Sequence, residues 1–212
     1  MFFENLETDR LILKNISKDD RDFIYNMFSD DDVNKYLFDA EPLIDISGAD
    51  EIINFYLEPE PRLQHRWIII GKTDNKKMGT CGFHCWDHDK AKVDIGYDLK
   101  KDFWGNGYMQ EAIKGIIKFA EIKMDIFEIN ACIYIENKKS INLVEKLNFI
   151  KNGSKNEYFR GKEYLHNIYT LQIDRNKKWS KMLIYSSNQS YDWGIQLNNE
   201  LIGHVVVVDI NE

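Results

Sequence analysis

The sequence predicts a mixed α/β protein of the α+β class, because strand-like and helix-like segments alternate along most of its 212 residues. Three strand-like segments with turn-forming connections follow one another at 66–71, 77–86 and 91–99, which favours an antiparallel meander. From Tyr108 the apolar spacing changes to i, i+3, i+4 and i+7, which indicates an amphipathic helix of about four turns. Strands that precede and then alternate with helices are typical of a mixed sheet.

The remaining elements agree with this class. Ser17 and Asp20 resemble a capping box, with Asp in place of the usual Glu, and predict the start of a first helix. The other predicted elements are a first strand at 9–16, a second helix before Pro59, a strand at 128–135, a helix at 136–149 that ends at Asn148, and a strand at 163–173. Asn148 suits a helix end because asparagine tolerates the left-handed conformation.

Composition and charge exclude several classes of protein. A formal net charge of −7 argues against binding nucleic acid through bulk electrostatics. The apolar runs are too short to span a membrane, and the first ten residues lack the order of a signal peptide. The three cysteines form no disulfide framework, so we expect a reduced, cytoplasmic protein. Cys81, His84, Cys85 and His88 lack zinc-ligand spacing, so we expect no metal.

Residues 102–112, DFWGNGYMQEA, allow two interpretations. Asn106-Gly107 is a strong hairpin signal, but a hairpin requires alternating residues on both sides, and the residues that follow have helical spacing instead. In the other interpretation the glycines let the backbone turn at the start of a helix, where free N–H groups and the helix dipole attract an anion such as phosphate. A strand-to-helix turn without a ligand is the plain alternative.

The segment LKKDFWGNGYMQEAI resembles the acetyl-CoA-binding motif of the GNAT acyltransferase superfamily, Gln/Arg-x-x-Gly-x-Gly/Ala after a bulged strand. Trp104 stands at the Gln/Arg position, Gly107 at the Gly, and Met109 at the last small residue. LETDRLIL at 6–13 and IENKKSINLVEKLNFIKNG at 135–153 are similar to segments of the ribosomal-protein N-acetyltransferase (RimJ/RimL-like) branch. The resemblance covers roughly residues 3–174, as judged from these ordered matches.

The resemblance implies a central, mostly antiparallel twisted sheet that is flanked by helices and split by a bulged fourth strand, 91–99. A V-shaped opening between the fourth and fifth strands would admit the pantetheine arm of acetyl-CoA, the cosubstrate. The residues expected to bind it are Leu99, Trp104, Gly105, Asn106, Gly107, Tyr108, Met109, Asn137 and Ser140. A large side chain at Met109 would narrow the cradle for the pyrophosphate.

The implied reaction is direct transfer of the acetyl group to a primary amine, which must first lose a proton to a base. By the resemblance, Ser140 is the candidate donor to the departing thiolate. Many members of the superfamily carry a tyrosine for this role where Val144 stands, and this sequence lacks it. Asn137 is the candidate for holding the pantetheine arm or a bridging water, and Asp94 for the base. Glu41 and Glu157 are weaker candidates for the base.

Each of these residues also has a purely structural interpretation. Asn137 could be only an N-cap, Ser140 only a first-turn residue, and Asp94 only a solvated strand residue. The acceptor would be a small-molecule amine or a protein N-terminus, and the residues that could line its pocket are Tyr36, Phe38, Trp86 and Tyr158. The alternative function is a non-catalytic acetyl-CoA-binding or interaction module on the same fold.

Residues 1–174 are therefore predicted to form the acyltransferase domain, and 175–212 a C-terminal extension. The extension contains two strand-like segments around an Asn-Asn turn. An isolated hairpin is marginally stable in water, so we expect it to dock on a sheet edge of this chain or of a partner in a homodimer.

Deleting residues 176–212 is expected to change the oligomeric state or the stability more than the binding of acetyl-CoA. Size-exclusion elution volume, melting temperature and acetyl-CoA affinity of the two proteins are the measurements. An unchanged elution volume and melting temperature would contradict a docked extension.

Overall fold

The computed structural model describes residues 2–38, 40–174, 193–197 and 200–205, in two units, Met1–Ile173 and Asp174–Glu212. The strands of the first unit are β1 (Leu6–Glu7), β2 (Leu11–Asn15), β3 (His65–Gly71), β4 (Lys77–Asp87), β5 (Lys92–Leu99), β6 (Glu128–Tyr134), β7 (Ile150–Phe159) and β8 (Lys162–Gln172). Its α-helices are α1 (Arg21–Phe28), α2 (Asp31–Asn34), α3 (Ser47–Tyr56), α4 (Tyr108–Lys123) and α5 (Lys138–Lys146).

The eight strands form one sheet in the order β1-β2-β3-β4-β5-β6-β8-β7. All neighbours are antiparallel except β5 and β6, which are parallel. The predicted class, a mixed and mostly antiparallel sheet with flanking helices, is confirmed.

Apolar cores cover the two faces of this sheet. On β3, Trp67 and Ile69 enter the core that also contains residues of α4 and α5, whereas Ile68 and Ile70 enter the core that contains residues of α1 and α3. Because successive strand residues point to opposite faces, the continuous apolar run of β3 indicates a strand that is buried on both sides.

The predicted capping box is present where the first helical segment starts. The Asp20 carboxylate is fully buried and accepts hydrogen bonds from the N–H and the hydroxyl of Ser17, each at 2.9 Å. The same carboxylate pairs with Lys77 at 2.6 Å and Lys14 at 3.2 Å. It therefore ties the start of the helix to strands β2 and β4.

Most sequence-predicted elements are confirmed, and two strands of the sheet, the short β1 and β7, were missed. Helix α5 ends as expected, with Asn148 at φ 66°. Strand β7 was not predicted because it lies at the end of the sheet and most of its residues are exposed on both faces, so no alternating pattern marks it. Its turn into β8, Arg160-Gly161, has positive φ at both residues, as a two-residue hairpin turn requires.

The position of the bulge also differs from the expectation. Strand β5 pairs with β4 in continuous register from Asp94 to Leu99. The register shift lies between His84 and Asp87 of β4, where Cys85 has φ 51°. The bulge is therefore on β4 and not on β5, where it was expected. It lies opposite the first residues of β5, far from the carboxyl end of that strand.

The second unit contains the antiparallel strands β9 (Trp193–Leu197) and β10 (Glu200–Val205). They lie within the tail segment that was expected to form two strands. Residues 175–192 lie outside the described part of the chain. Docking of the tail and its part in a homodimer stay predictions.

Asp20→Asn is expected to lower the free energy of unfolding at pH 7 by about 2–4 kcal/mol, because a buried partner of two lysines loses its charge. Burial raises the pKa of Asp20, but the hydrogen bonds from Lys77, Ser17 and Lys14 outweigh it and hold this pKa below 3.8. Its contribution is present above that pH and is lost as the pH falls through the folded-state value.

Urea denaturation at pH 7 and in acid measures this difference. The exposed neighbour Asp19→Asn is the control and should change stability by about 0.5 kcal/mol or less. A loss for Asp20→Asn that persists below both pKa values would show that the carboxylate charge is not the cause.

Candidate active site

The opening between β5 and β6 is the central feature of the site. The two strands pair over only three positions, Lys92 with Glu128, Val93 with Ile129 and Asp94 with Asn130. Beyond these positions β5 continues to Leu99 and pairs only with β4, while β6 continues to Tyr134 and pairs with β8. The sheet is therefore split along the carboxyl-terminal halves of two parallel strands.

Backbone groups of β5 face this opening. The N–H of Lys100 donates to the carbonyl of Met78 on the β4 side at 2.9 Å. Since alternate residues of a strand direct their N–H groups to opposite neighbours, the N–H groups of Leu99 and Tyr97 face the opening. Leu99, one of the residues expected to bind the cofactor, therefore directs its N–H to the opening.

The loop after β5 depends on two glycines. Gly105 and Gly107 both have φ 78°, in the left-handed region that residues with a Cβ atom rarely adopt. No described atom lies within 4 Å of the position that a Cβ of Gly105 would take, so the backbone there borders open space. The Asn106 amide lies between the glycines and donates to the carbonyl of Trp104 at 3.0 Å, which closes the loop on itself.

Helix α4 begins directly after this loop, with Gly107 as N-cap. The Glu111 N–H donates to the Gly107 carbonyl at 3.1 Å. The N–H groups of Tyr108, Met109 and Gln110 precede this bond and have no carbonyl one turn earlier in the helix to bond. The Trp104 N–H, which was expected among the ligand donors, instead donates to the carbonyl of Lys101.

Met109 does not narrow the loop, contrary to the expectation. Its side chain is 7% exposed and packs in the core beneath the sheet. Of this residue, only the backbone N–H, in the first turn of α4, is left as a donor for a ligand at the loop. A methionine in place of the family's small residue therefore fills space in the core and does not occupy the space above the loop.

Arg10 is a residue of this site that the sequence reasoning missed. Its Nε donates to Glu111 at 2.6 Å, its Nη1 donates to the Asn106 carbonyl at 3.1 Å, and its guanidinium lies 4.5 Å from the Tyr108 ring centroid. It belongs to the segment LETDRLIL, whose resemblance to the family indicated a strand and gave no signal for a residue of the site. Arg10 forms an ion pair with Glu111 in the first turn of α4 and fixes the loop to the β1–β2 turn.

Trp104 braces the loop through its side chain. The indole N–H donates to the Leu99 carbonyl at 2.7 Å, and the Lys139 ammonium lies 3.9 Å from the ring centroid. Trp104 therefore links the end of β5 to the first turn of α5. Its contacts explain why a residue other than Gln or Arg fits this position.

The first turn of α5 brings together Ser140, the candidate donor to the thiolate, and Asn137, the candidate for holding the pantetheine arm, and a third residue joins them. The Asn137 side chain accepts from the Ser140 N–H at 3.2 Å, so it is the N-cap of α5. The Ser140 hydroxyl lies 2.6 Å from the Tyr97 hydroxyl on β5. Val144 has no hydroxyl and is fully buried in the core. Tyr97 was not singled out in the sequence, because its partner lies 43 residues away.

Asp94 lies where the opening begins, on the sheet face opposite the buried Val93 and Ile95. Burial raises its pKa above 3.8, against the opposing effects of Lys155, Lys92 and the Asn130 side chain. A carboxylate with a raised pKa holds a proton more readily, which is a property of general bases near neutral pH.

A buried polar cluster adjoins Asp94 on the same face. The Arg66 guanidinium pairs with Asp98 at 2.9 Å and donates to the Thr80 hydroxyl at 2.9 Å. Arg66 Nη2 is 3.3 Å from the ring of His84, the cross-strand partner of Asp94. Burial and then the charge of Arg66 lower the pKa of His84 to about 3, so this histidine is neutral at physiological pH.

The predicted acceptor residues do not all come together. Phe38 stacks on Tyr164 at 4.1 Å and packs edge-on against Tyr134 at 4.8 Å, and Tyr36 is 6.1 Å from Tyr134. These rings cover the ends of β6 and β8, next to the opening. Trp86 instead packs against Phe2 and His88 near the other end of β5, and Tyr158 is 74% exposed on β7.

The two weaker candidates for the base have existing partners. Glu41 pairs with Arg160, which holds the pKa of Glu41 below its usual value. Glu157 pairs with Lys155 at 2.8 Å and lies 3.6 Å from His166 Nε2. The lowered pKa makes Glu41 a poor proton acceptor, and Asp94 differs from it by its raised pKa.

Comparison with known proteins agrees with this geometry. The sequence profile of the acetyltransferase (GNAT) domain matches residues 10–150. The chain belongs to the GNAT acetyltransferase family. A relative from Bacillus licheniformis, the uncharacterized N-acetyltransferase p20, is 32% identical over 171 residues, which cover 80% of this chain and 96% of the relative.

Solved structures share the GNAT fold. RimL, a ribosomal L7/L12 α-N-protein acetyltransferase in complex with coenzyme A, superposes with a TM-score of 0.74 at 17% identity over 81% of this chain and 99% of that one. Spermidine N-acetyltransferase from Vibrio cholerae, in complex with CoA and spermine, superposes with a TM-score of 0.69 at 17% identity. The match covers 78% of this chain and 97% of that one. The sheet and helices described above are those of the GNAT fold.

Membership in the GNAT family makes this protein an acyltransferase. In the described ranges, no helix is both long and apolar enough to cross a membrane. Within the same ranges, no three His, Cys, Asp or Glu side chains are grouped so that they could hold a metal ion.

Asp94→Asn and Asp98→Asn are expected to change stability in opposite directions. Asp94 has a raised pKa, so its ionisation costs stability as the pH rises above 3.8; removing the charge should raise the melting temperature at pH 7, and the difference should vanish in acid. Asp98→Asn leaves the buried Arg66 guanidinium without its carboxylate and should cost about 3–5 kcal/mol.

Thermal denaturation of both variants between acid and neutral pH is the measurement. The two residues lie on one face of one strand, so each variant controls for the other. A lower melting temperature for Asp94→Asn at pH 7 would show that the carboxylate stabilises the fold and is not held there at a cost.

Proposed function

We propose that this protein transfers the acetyl group of acetyl-CoA directly to a primary amine at the opening between β5 and β6. One observation carries the proposal: the two parting strands are parallel, so the helices that follow them, α4 and α5, start at the same edge of the sheet. Helix N-termini attract negative charge. The pyrophosphate and the departing thiolate of acetyl-CoA are the two anionic parts of such a reaction.

The loop at the start of α4 is the proposed pyrophosphate site. The N–H groups from Gly105 to Gln110 provide donors, Arg10 holds the loop in place from its ion pair with Glu111, and the missing Cβ at Gly105 leaves space for the ligand. The pantetheine arm would run along β5, where the N–H groups of Leu99 and Tyr97 face the opening. Asn137 would act from the other side through the part of its amide that does not cap α5.

The chemistry divides between the two faces of β5. Asp94 is the proposed base that takes a proton from the ammonium form of the acceptor, directly or through water. The amine nitrogen then bonds to the acetyl carbon and gives up its second proton to water, and a gap-facing N–H of β5 is the proposed donor to the oxyanion. When the carbon–sulfur bond breaks, the electron pair goes to sulfur, and the Ser140 hydroxyl donates a hydrogen bond to it.

The acceptor that we propose is an amine that carries a positive charge. RimL acts on a protein N-terminus, and the Vibrio enzyme acts on spermidine. In this chain the aromatic rings of Tyr36, Phe38, Tyr134 and Tyr164 lie on the Asp94 side of the sheet. Aromatic faces attract ammonium groups, so they support an acceptor that presents a cationic amine.

A non-catalytic acetyl-CoA-binding module is the second candidate, and Val144 favours it, because the superfamily's usual proton donor is missing. The two candidates differ in one measurement. Both predict that CoA raises the melting temperature by mass action, but only an enzyme releases free thiol from acetyl-CoA when an amine is added.

The experiment is a screen of acceptors, monitored by free thiol, with Gly105→Ala and Gly161→Ala beside the wild type. Both glycines have φ near 77°, at 78° and 76°, so both alanine variants carry the same backbone strain of about 1–2 kcal/mol. Only Gly105→Ala should weaken CoA binding, by about tenfold or more, because its Cβ enters the space above the loop.

The acceptors would include peptides with free N-termini, spermidine, aminoglycosides and amino acids. Thiol release with any of them identifies an enzyme, and CoA stabilisation without thiol release supports the binding module. Equal CoA affinity in Gly105→Ala and Gly161→Ala would place the pyrophosphate elsewhere.

A further inference from the structure

We infer that Tyr97 is a positioning residue for the departing thiolate, acting through the hydroxyl of Ser140. This inference rests on the proposed function, because it assumes that the sulfur of CoA lies at the first turn of α5. Tyr97 was not among the candidate residues predicted from the sequence. In this role, a residue of strand β5 would assist the departure of the thiolate together with Ser140 of helix α5.

The geometry places the two hydroxyls at the point where the strands part. Tyr97 lies on β5, three residues after the last pair between β5 and β6, and its side chain shares the face of Val93 and Ile95. On this face it meets Ser140 in the first turn of α5, with 2.6 Å between the hydroxyl oxygens. This is a short, well-formed O–H···O hydrogen bond.

The direction of this hydrogen bond decides what Ser140 can do. If Tyr97 donates, the Ser140 proton is free to point at a sulfur anion; if Ser140 donates, it offers the sulfur only lone pairs. A negative charge beside Ser140 therefore favours donation by Tyr97. The Ser140 N–H is already occupied by Asn137, so rotation of the hydroxyl is the remaining freedom of this residue.

Tyr97 is suited to donate a hydrogen bond and not to lose its proton. Burial raises the pKa of its phenol, against the smaller effect of the Ser140 hydrogen bond. The phenol therefore stays protonated while the carbon–sulfur bond breaks. The sulfur keeps the electron pair, is held by the Ser140 hydroxyl, and takes its proton from solvent when CoA leaves.

The chain has a physical reason to use such a pair. The helix position from which the superfamily supplies a tyrosine is Val144, which is fully buried and cannot reach a ligand. A serine hydroxyl alone is mobile and is a weak donor to an anion. A second hydroxyl that donates to it orients and polarises the first, since hydrogen bonds in a chain strengthen one another.

The test measures ionisation of the thiol in bound CoA, by the ultraviolet absorbance of the thiolate across pH, and needs no acceptor. In Tyr97→Phe the thiol should ionise about 1–2 pH units higher than in the wild type, with CoA affinity changed less than about threefold. Ser140→Ala should give a shift at least as large. Tyr25→Phe, on helix α1 in the other core, is the matched control and should shift nothing.

The double variant tests whether Tyr97 acts through Ser140. In the Ser140→Ala background, Tyr97→Phe should add no further shift, because the hydroxyl that it orients is gone. Additive shifts would overturn the inference, as would a Tyr97→Phe variant that lowers CoA affinity and leaves the ionisation of sulfur unchanged. With any acceptor found, kcat should fall about 10- to 100-fold at unchanged KM for acetyl-CoA.

A second variant covers the case in which Tyr97→Phe does not fold. Replacing Tyr97 by 3,5-difluorotyrosine keeps the hydroxyl and makes it a stronger donor, so the thiol of bound CoA should ionise at a lower pH than in the wild type. A shift in the opposite direction, or none, would contradict the inference. If the wild type itself binds no CoA, the proposed function fails, and that outcome is distinct from an unchanged thiol titration in the variants.

Discussion

The site depends on the parallel contact between β5 and β6, which extends over only three residue pairs. A parallel pair requires a crossover, and here the crossover is α4. The same arrangement makes α5 follow β6 at the same edge. Because the contact stops after Asp94, the edge is open, and the helix starts, the strand N–H groups and the side chains of β5 all border one gap. A longer parallel ladder would close that gap with backbone hydrogen bonds.

Strand β5 also separates the two groups to which the proposed acyl transfer assigns its proton acceptor and its leaving-group side. Tyr97 and Asp94 are three residues apart on β5, so their side chains point to opposite faces of the sheet. Tyr97 lies on the face covered by α4 and α5, and Asp94 lies on the face with the rings of Tyr134 and Tyr164. In the proposed mechanism, the group that receives a proton and the group that orients the donor to the leaving anion are therefore kept apart by the sheet itself. Neither needs a flexible loop, since both are fixed by one strand in continuous register with β4.

Local patterns predicted the parts of the fold that are determined locally. The spacing of apolar residues identified α4 and the β3–β5 meander, and Asn148 marked the end of α5. Three features escaped because their cause is not local: β7 is an exposed edge strand without alternation, Arg10 acts on a loop 96 residues away, and Tyr97 meets Ser140 across 43 residues. Such pairs follow from the topology, which no spacing in the sequence encodes.

The burial of Met109 has a consequence for how this loop can change over time. The donors proposed for the anion are backbone N–H groups, which every residue except proline provides. The side chain at position 109 lies in the core, so its size is constrained by neighbours such as those of α4 and not by the ligand. Substitutions that keep the core filled can therefore accumulate here without altering the anion site, and relatives with different residues at this position can keep the same ligand.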